Sequence, residues 1–286
     1  MLIKKESLCK EALFLVILPE AISRSIWGTY SNISISDRLD TLPSTLPDHK
    51  KISFPSDRSL GELYLVDADG RNQFVCEAQG EVQVPQGRQV SLYYSFDQSI
   101  GLNPLSELKP DDIYAISLLG SDVGDREMPV LAHLTGLKEL DISCTSVGDE
   151  GARALANLTQ LSKLNLSSTK IGDTGVGSLA GLEQLEELVL DDTQIGDPAL
   201  DLISRLSQLK TLSLSFTHTT NKGLAKLKAL KSLERLRLNC TKIDDQGLTH
   251  ICRLSSLKEL WLRSTEVTYP GLVELTKWLA DCEIIR

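Results

Sequence analysis

The stretch Thr169-Lys-Ile-Gly-Asp-Thr-Gly-Val-Gly177 sets three glycines beside Thr, Lys and Asp. That is the make-up of a loop whose backbone amides cradle a phosphate. Other residues capable of chemistry are scattered. His49, His133, His218 and His250 fall in unrelated places, and no His-Glu-x-x-His, Ser-His-Asp or Cys-His grouping occurs. His133 and His250 lie in segments with helical spacing, where a solvated imidazole is expected. Cys9, Cys76, Cys144, Cys240, Cys252 and Cys282 form no Cys-x-x-Cys pair. Their spacing suits neither a zinc site nor a small disulfide scaffold, so they read as reduced thiols packed as small hydrophobes. The pairs Asp191-Asp192 and Asp244-Asp245 fall at turns, where Asp hydrogen-bonds locally. The sequence thus offers no catalytic set, no metal ligands and no cofactor motif, and it reads as non-enzymatic.

Composition narrows the partner. The chain has 286 residues, 41% hydrophobic but only 5% aromatic, so its core must be mainly aliphatic. Residues 1–112 hold 11 basic and 16 acidic groups, a net of −5; the whole chain is −9, which leaves −4 for 113–286. Neither half has the basic excess that drives nucleic-acid binding. The longest apolar run near the N-terminus, Ala12–Leu18, has seven residues between Glu11 and Glu20, against the ~20 a membrane helix needs. Lys4 and Lys5 precede it as in a weak signal sequence, but Glu11 interrupts the path. A buried or amphipathic helix within 1–30, in a soluble cytoplasmic protein with no membrane span, is the expectation.

From residue 113 the chain repeats itself every 24 residues without insertion or deletion. Units begin at Ile113, Leu137, Leu161, Leu185, Leu209, Leu233 and Leu257, and each approximates L-x-x-L-x-L-x-x-T-x-I-x-D-x-G-L-x-x-L-x-x-L-x-x. The opening apolar residues alternate with polar ones, as in a short half-buried strand; the closing ones recur every third residue, as on one helix face. Each unit therefore predicts strand, turn, two-turn helix and return, with apolar faces that only neighbouring units can cover. The ninth position (Ser121, Thr145, Thr169, Thr193, Thr217, Thr241, Thr265) predicts an inward hydroxyl bonded to the adjacent turn. The thirteenth (Asp125, Asp149, Asp173, Asp197, Asn221, Asp245, Tyr269) predicts the N-cap of its own helix. Thr169–Gly177 is one of these recurring turns, so the phosphate-loop reading loses its ground.

These units resemble the leucine-rich repeat family, in a variant with Thr where many members carry Asn and with a D-x-G-L helix start. Similar units occur in bacterial repeat proteins and in the repeats attached to F-box proteins. The resemblance implies an α/β fold: a right-handed, ribonuclease-inhibitor-like horseshoe with parallel strands on the concave side and helices on the convex side. It also implies a non-catalytic interaction scaffold that binds a protein or peptide on the concave face.

Residues 51–104 change character: 62–66, 81–84 and 89–94 are short strand patterns separated by turns, predicting a small antiparallel β unit that caps the first repeat. The organisation expected is an apolar helical segment over 1–30, a Ser/Thr/Asp/Pro-rich linker over 31–50, the β unit, and a repeat domain over 105–286. A C-terminal cap over 278–286 is expected, in which Trp278 and Leu279 close the core and Cys282, Ile284 and Ile285 begin an eighth strand. Leu18-Pro-Glu-Ala-Ile-Ser-Arg-Ser-Ile-Trp27 resembles the opening of an F-box, which implies a ubiquitin-ligase substrate receptor as the alternative function. The hydrophobic second half of that module is missing from Asn32–Asp37.

Strand alternation points the third, fifth and seventh positions of each unit outward. The fifth column ends Ser213, Arg237, Trp261, and puts an exposed Trp beside an Arg at the ~4.8 Å strand spacing. Arg235 and Arg263 lie close by, Asn239 shares the seventh column, Phe216 extends the patch at the strand-to-turn edge, and Glu187 and Asp191 flank it. Trp and Arg dominate interaction hot spots, so these eight residues are the candidate partner site.

Overall fold

The structure, a computed structural model, describes residues 49–67 and 70–286. The expected helix of 1–30, the F-box-like Leu18–Trp27 and most of the expected linker lie outside the described residues. Each repeat contributes one three-residue strand: β6 (Ala115–Ser117), β7 (Glu139–Asp141), β8 (Lys163–Asn165), β9 (Glu187–Val189), β10 (Thr211–Ser213), β11 (Arg235–Arg237), β12 (Glu259–Trp261) and β13 (Glu283–Ile285). All pair in parallel, each residue facing the one 24 positions on, as Leu140 faces Leu164. The repeating leucines of the strands and returns are buried together in one continuous aliphatic core.

The N-terminal unit contains β1 (His49–Ser53), β2 (Gly61–Val66), β3 (Asn72–Glu77), β4 (Glu81–Pro85) and β5 (Gln89–Tyr94). Strands β1 and β4 form an antiparallel pair, while β2 lies antiparallel between β3 and β5. Two strands were not legible in the pattern: β3, and β1, whose first residues the expected linker had absorbed. More consequential is β5, which pairs in parallel with β6, Leu92 facing Ile116. The β unit is thus continuous with the solenoid sheet of eleven strands, and β5 stands one repeat length ahead of β6.

The helix side departs from expectation. Units from 137 and 161 hold a single α turn (Asp149–Ala152, Asp173–Val176) running into a 3₁₀ turn. Only Asp197–Ile203, Asp245–Ile251 and Tyr269–Thr276 approach two turns. At the C-terminus Leu275 and Leu279 close the core, whereas Trp278 is 68% exposed, contrary to the expected cap. His133 is also not solvated: it is partly buried, with ring nitrogens 2.8 Å and 3.0 Å from the carbonyls of Val130 and Leu108.

The ninth-position hydroxyl behaves as expected in placement. Thr145 Oγ1 donates to the Ile142 carbonyl at 2.7 Å, and the same bond recurs at Thr169, Thr193, Thr217, Thr241 and Thr265. It ties down the eighth position between them. Cys144, Ser168, Asp192, Phe216, Cys240 and Ser264 have φ of 52–58°, a left-handed conformation costing about 1–2 kcal/mol in a side-chain-bearing residue. The amide at this position offsets the cost by donating to the next unit, as Phe216 N–H does to the Asn239 carbonyl at 2.8 Å.

The thirteenth-position acid is not the cap of its own helix. The cap position is the twelfth residue, Gly148, Gly172, Gly196, Thr220, Asp244 or Thr268. From Asp149 onward the thirteenth residue is the first helical one, and from Asp125 to Asp245 its side chain reaches into the following unit and accepts from that unit's twelfth N–H. Asp125 takes Gly148 N–H (2.6 Å), Asp149 takes Gly172 (2.7 Å), Asp173 takes Gly196 (2.8 Å) and Asp197 takes Thr220 (2.8 Å). Asn221 and Asp245 serve Asp244 and Thr268 in the same way. The side chain also crowds the position three residues beyond that twelfth amide, which is glycine in five units and alanine (Ala199) in the unit from 185. A Cβ on Gly175 would stand 2.5 Å from Asp149 Oδ1, and one on Gly151 2.6 Å from Asp125 Oδ1.

That contact makes a sign-reversed prediction. Gly→Ala inside a helix ordinarily stabilises by about 1 kcal/mol. Gly175→Ala should instead destabilise by about 1–3 kcal/mol in urea unfolding, because the Asp149 carboxylate must move. In an Asp149→Ala background the same substitution should cost much less. Equal cost in both backgrounds would refute the coupling.

Candidate functional site

The strand face carries one unbroken row of fifth-position residues: Tyr93, Ser117, Asp141, Asn165, Val189, Ser213, Arg237, Trp261 and Ile285. Parallel pairing puts Arg237 and Trp261 side by side, and the guanidinium carbon lies 4.4 Å from the indole centroid. The pairing read from the repeat register is present, but the exposed Trp is not. Arg237 and Trp261 are each only 4% exposed. The guanidinium stacked on the ring shields both, and Ser213 on the other flank is wholly buried.

Several polar members of the candidate set serve the backbone. Beyond the three-residue strands, seventh-position amides need acceptors, and neighbouring side chains supply them. Asp141 Oδ1 accepts from Ser143 N–H at 2.9 Å, and Asn165 Oδ1 from Ser167 N–H at 3.1 Å. Asp191 Oδ1 accepts Ser215 N–H (2.7 Å) and Ser213 Oγ–H (2.6 Å), and Asn239 Oδ1 accepts Arg263 N–H (2.8 Å). Asp191 and Asn239 therefore position the sheet edge. Glu187 is buried at the head of β9, beside Lys163 of β8. Arg235, partly buried, donates from Nε to Thr211 Oγ1 at 3.0 Å.

What remains is a compact group around Arg237. Phe216 is 49% exposed at its left-handed turn, and Arg263 is exposed at the rim. Burial lowers the Arg237 pKa, with Asp191 and Glu187 opposing that shift and Arg235 adding to it. Burial raises the Asp191 carboxyl pKa, against the hydrogen bonds from Ser213 and Ser215 and the charge of Arg237. Among the described residues, three buried side-chain polar atoms lack a hydrogen-bond partner: Arg237 Nε, Arg237 Nη1 and Ser215 Oγ.

At the other end of the same face the strands of the β unit place an aromatic group that repeat reasoning could not reach. Tyr64 packs against Tyr93 (centroids 4.8 Å apart) and edge-on against Phe74 (5.6 Å), and Asn72 Nδ2 donates to the Tyr93 hydroxyl. The alternation in 62–66 and 89–94 was visible, but only the β5–β6 pairing aligns these rings with the repeat columns. No cluster of His, Cys, Asp or Glu fit to hold a metal occurs among the described residues. Within them no helix is long and apolar enough to cross a membrane. A hollow of about 140 Å³ beside β5 is lined by Lys50, Asp111 and Asp112, and the Lys50–Asp112 ion pair (3.3 Å) closes across it.

Models of the leucine-rich repeat match residues 135–195 and 229–252. The chain carries leucine-rich repeats and has their fold. Among solved structures it is similar to internalin C2 of Listeria monocytogenes, with 26% identity, TM-score 0.56, and coverage of 68% of this chain and 80% of that one. An internalin, InlF, of the same species aligns at 21% identity and TM-score 0.42, over 68% of this chain and 66% of its own. A leucine-rich repeat protein of Leptospira interrogans aligns at 19% and TM-score 0.42, over 61% and 46%. No curated protein sequence matches. Leucine-rich repeat folds generally serve protein–protein interaction and are typically non-enzymatic scaffolds.

The raised pKa of Asp191 fixes the sign of a pH effect. The folded chain holds that proton more tightly than the unfolded chain, so this residue's contribution to stability falls as pH rises from about 4 through its folded pKa. The unfolding free energy of Asp191→Asn, measured against wild type in urea at a series of pH values, should shift in the variant's favour across that window and then level off. A pH-independent difference would contradict it.

Proposed function

We propose that the chain is a non-catalytic interaction scaffold that binds a protein or peptide partner on its strand face, centred on Arg235, Arg237, Trp261, Arg263 and Phe216. The observation that carries this reading is that the repeat requires none of these side chains. The core leucines, the ninth-position hydroxyls and the thirteenth-position acids recur because each unit needs them to stack. The fifth and seventh columns instead change from unit to unit, and only around β11 and β12 do they bring arginine and aromatic side chains together. Arg and aromatic side chains supply most binding energy at interfaces and cluster as this group does. Asp191, Asn239 and Glu187 support the patch from beneath and beside it. The free thiols Cys76, Cys240, Cys252 and Cys282 fit a reducing, cytoplasmic compartment.

Cutting both buried side chains, Arg237 and Trp261, back to alanine would leave a cavity in the strand face, so the exposed rim makes the cleaner test. In pull-downs from native lysate, Phe216→Asp/Arg263→Glu should lose a partner recovered by wild type by about ten-fold or more. Lys228→Glu, exposed on the helix side, should retain it. Equal recovery by all three proteins, with unchanged circular dichroism, would remove the strand face as the binding surface.

A further inference from the structure

Resting on that reading, we infer that Arg237 and Ser215 form a socket for a carboxylate side chain carried by the partner peptide. The three buried side-chain polar atoms without partners among the described residues are Nε and Nη1 of Arg237 and Oγ of Ser215. They lie together rather than scattered: Ser213 pairs with Arg237 across β10 and β11, and Ser215 follows two residues later. All three can donate, and a carboxylate accepts several hydrogen bonds at once. A buried cation with open donors is costly, and an anion arriving there recovers both the charge and the hydrogen-bond deficit.

Asp191 does not already fill the role. Asp191 Oδ1 is occupied by Ser213 Oγ–H and Ser215 N–H; the Ser215 hydroxyl also feels the Asp191 carboxylate, but outside hydrogen-bond geometry, and Arg237 Nε and Nη1 donate to neither of its oxygens. The neighbouring acids do select the charge of the ligand. Glu187 and Asp191 both act on Arg237 electrostatically, so a dianionic phosphate meets more repulsion than a single carboxylate. Burial of Arg237 beside the exposed Phe216 and Arg263 favours a long, thin group such as a glutamate side chain. Trp261 forms the wall of the socket through its stack with the guanidinium.

The test selects random dodecapeptides on phage against the immobilised full chain and measures Kd of each enriched peptide by calorimetry. Strand-face binders, recognised by loss of affinity on Phe216→Asp, should each contain an acidic residue. Replacing it by its amide should weaken binding to wild type about ten- to a hundred-fold, the range of a charge-assisted hydrogen bond. The same replacement should change little on Arg237→Met, which removes an unpaired buried charge and should fold at least as well. Phosphoserine at that position should bind more weakly than glutamate, and Ser215→Ala should cost less than Arg237→Met. Strand-face binders that tolerate the amide, or bind Arg237→Met as tightly as wild type, overturn the socket alone. Peptides that bind Phe216→Asp undiminished, or no enrichment at all, overturn the strand-face reading with it.

Discussion

Successive units of this solenoid are held together by a side-chain oxygen, a carboxylate in all cases but Asn221, that crosses the gap and accepts from a backbone N–H. Asp125, Asp149, Asp173, Asp197 and Asp245 each take the twelfth amide of the following unit, with distances of 2.6–2.8 Å. A one-turn helix leaves nearly all its backbone donors without internal partners, so these units cannot satisfy themselves. The acid supplies from outside what a longer helix would supply from within. It also crowds the position three residues beyond that amide, which is glycine in five units and, beside Asp173, the small Ala199 in the unit from 185. The acid of one unit and a small residue in the next are therefore coupled across each gap.

The glycine-rich turn Thr169–Gly177 gains a different meaning from this contact. Its composition indicates anion binding, and the structure does put an anion against its backbone: the Asp149 carboxylate on Gly172 N–H. The anion is built in, one unit upstream, and recurs along the stack. A phosphate would have to displace a neighbour that the solenoid needs for its own cohesion.

The repeat period, strand positions, buried leucines and ninth-position hydroxyls were legible because each is reinforced seven times along the chain. The destination of the Asp side chain was not, since an acid at a helix start satisfies the cap pattern and the staple pattern equally well in one dimension. The same limit applied to β5: it lacks the Thr and Asp of the turn, and only its pairing with β6 reveals it as a further coil. Arg237 beside Trp261 followed directly from the register, because residues 24 apart must be neighbours in a parallel sheet. Their burial did not follow, since alternation tells which way a side chain points and not how deeply its neighbours enclose it.

That enclosure separates the polar residues of the strand face into two kinds. Asp141, Asn165, Asp191 and Asn239 differ in type and column, yet each ends on a seventh-position amide. Their variation is freedom within one structural task, and it says nothing of a ligand. Arg237 has no such task. It accepts nothing, its Nε and Nη1 donate to nothing, and the stack on Trp261 compensates a buried guanidinium only in part, being worth about 0.5–2 kcal/mol. The sheet satisfies the neighbouring backbone donors from its own side chains and leaves Arg237 Nε and Nη1 open, which is the physical ground of the proposed socket.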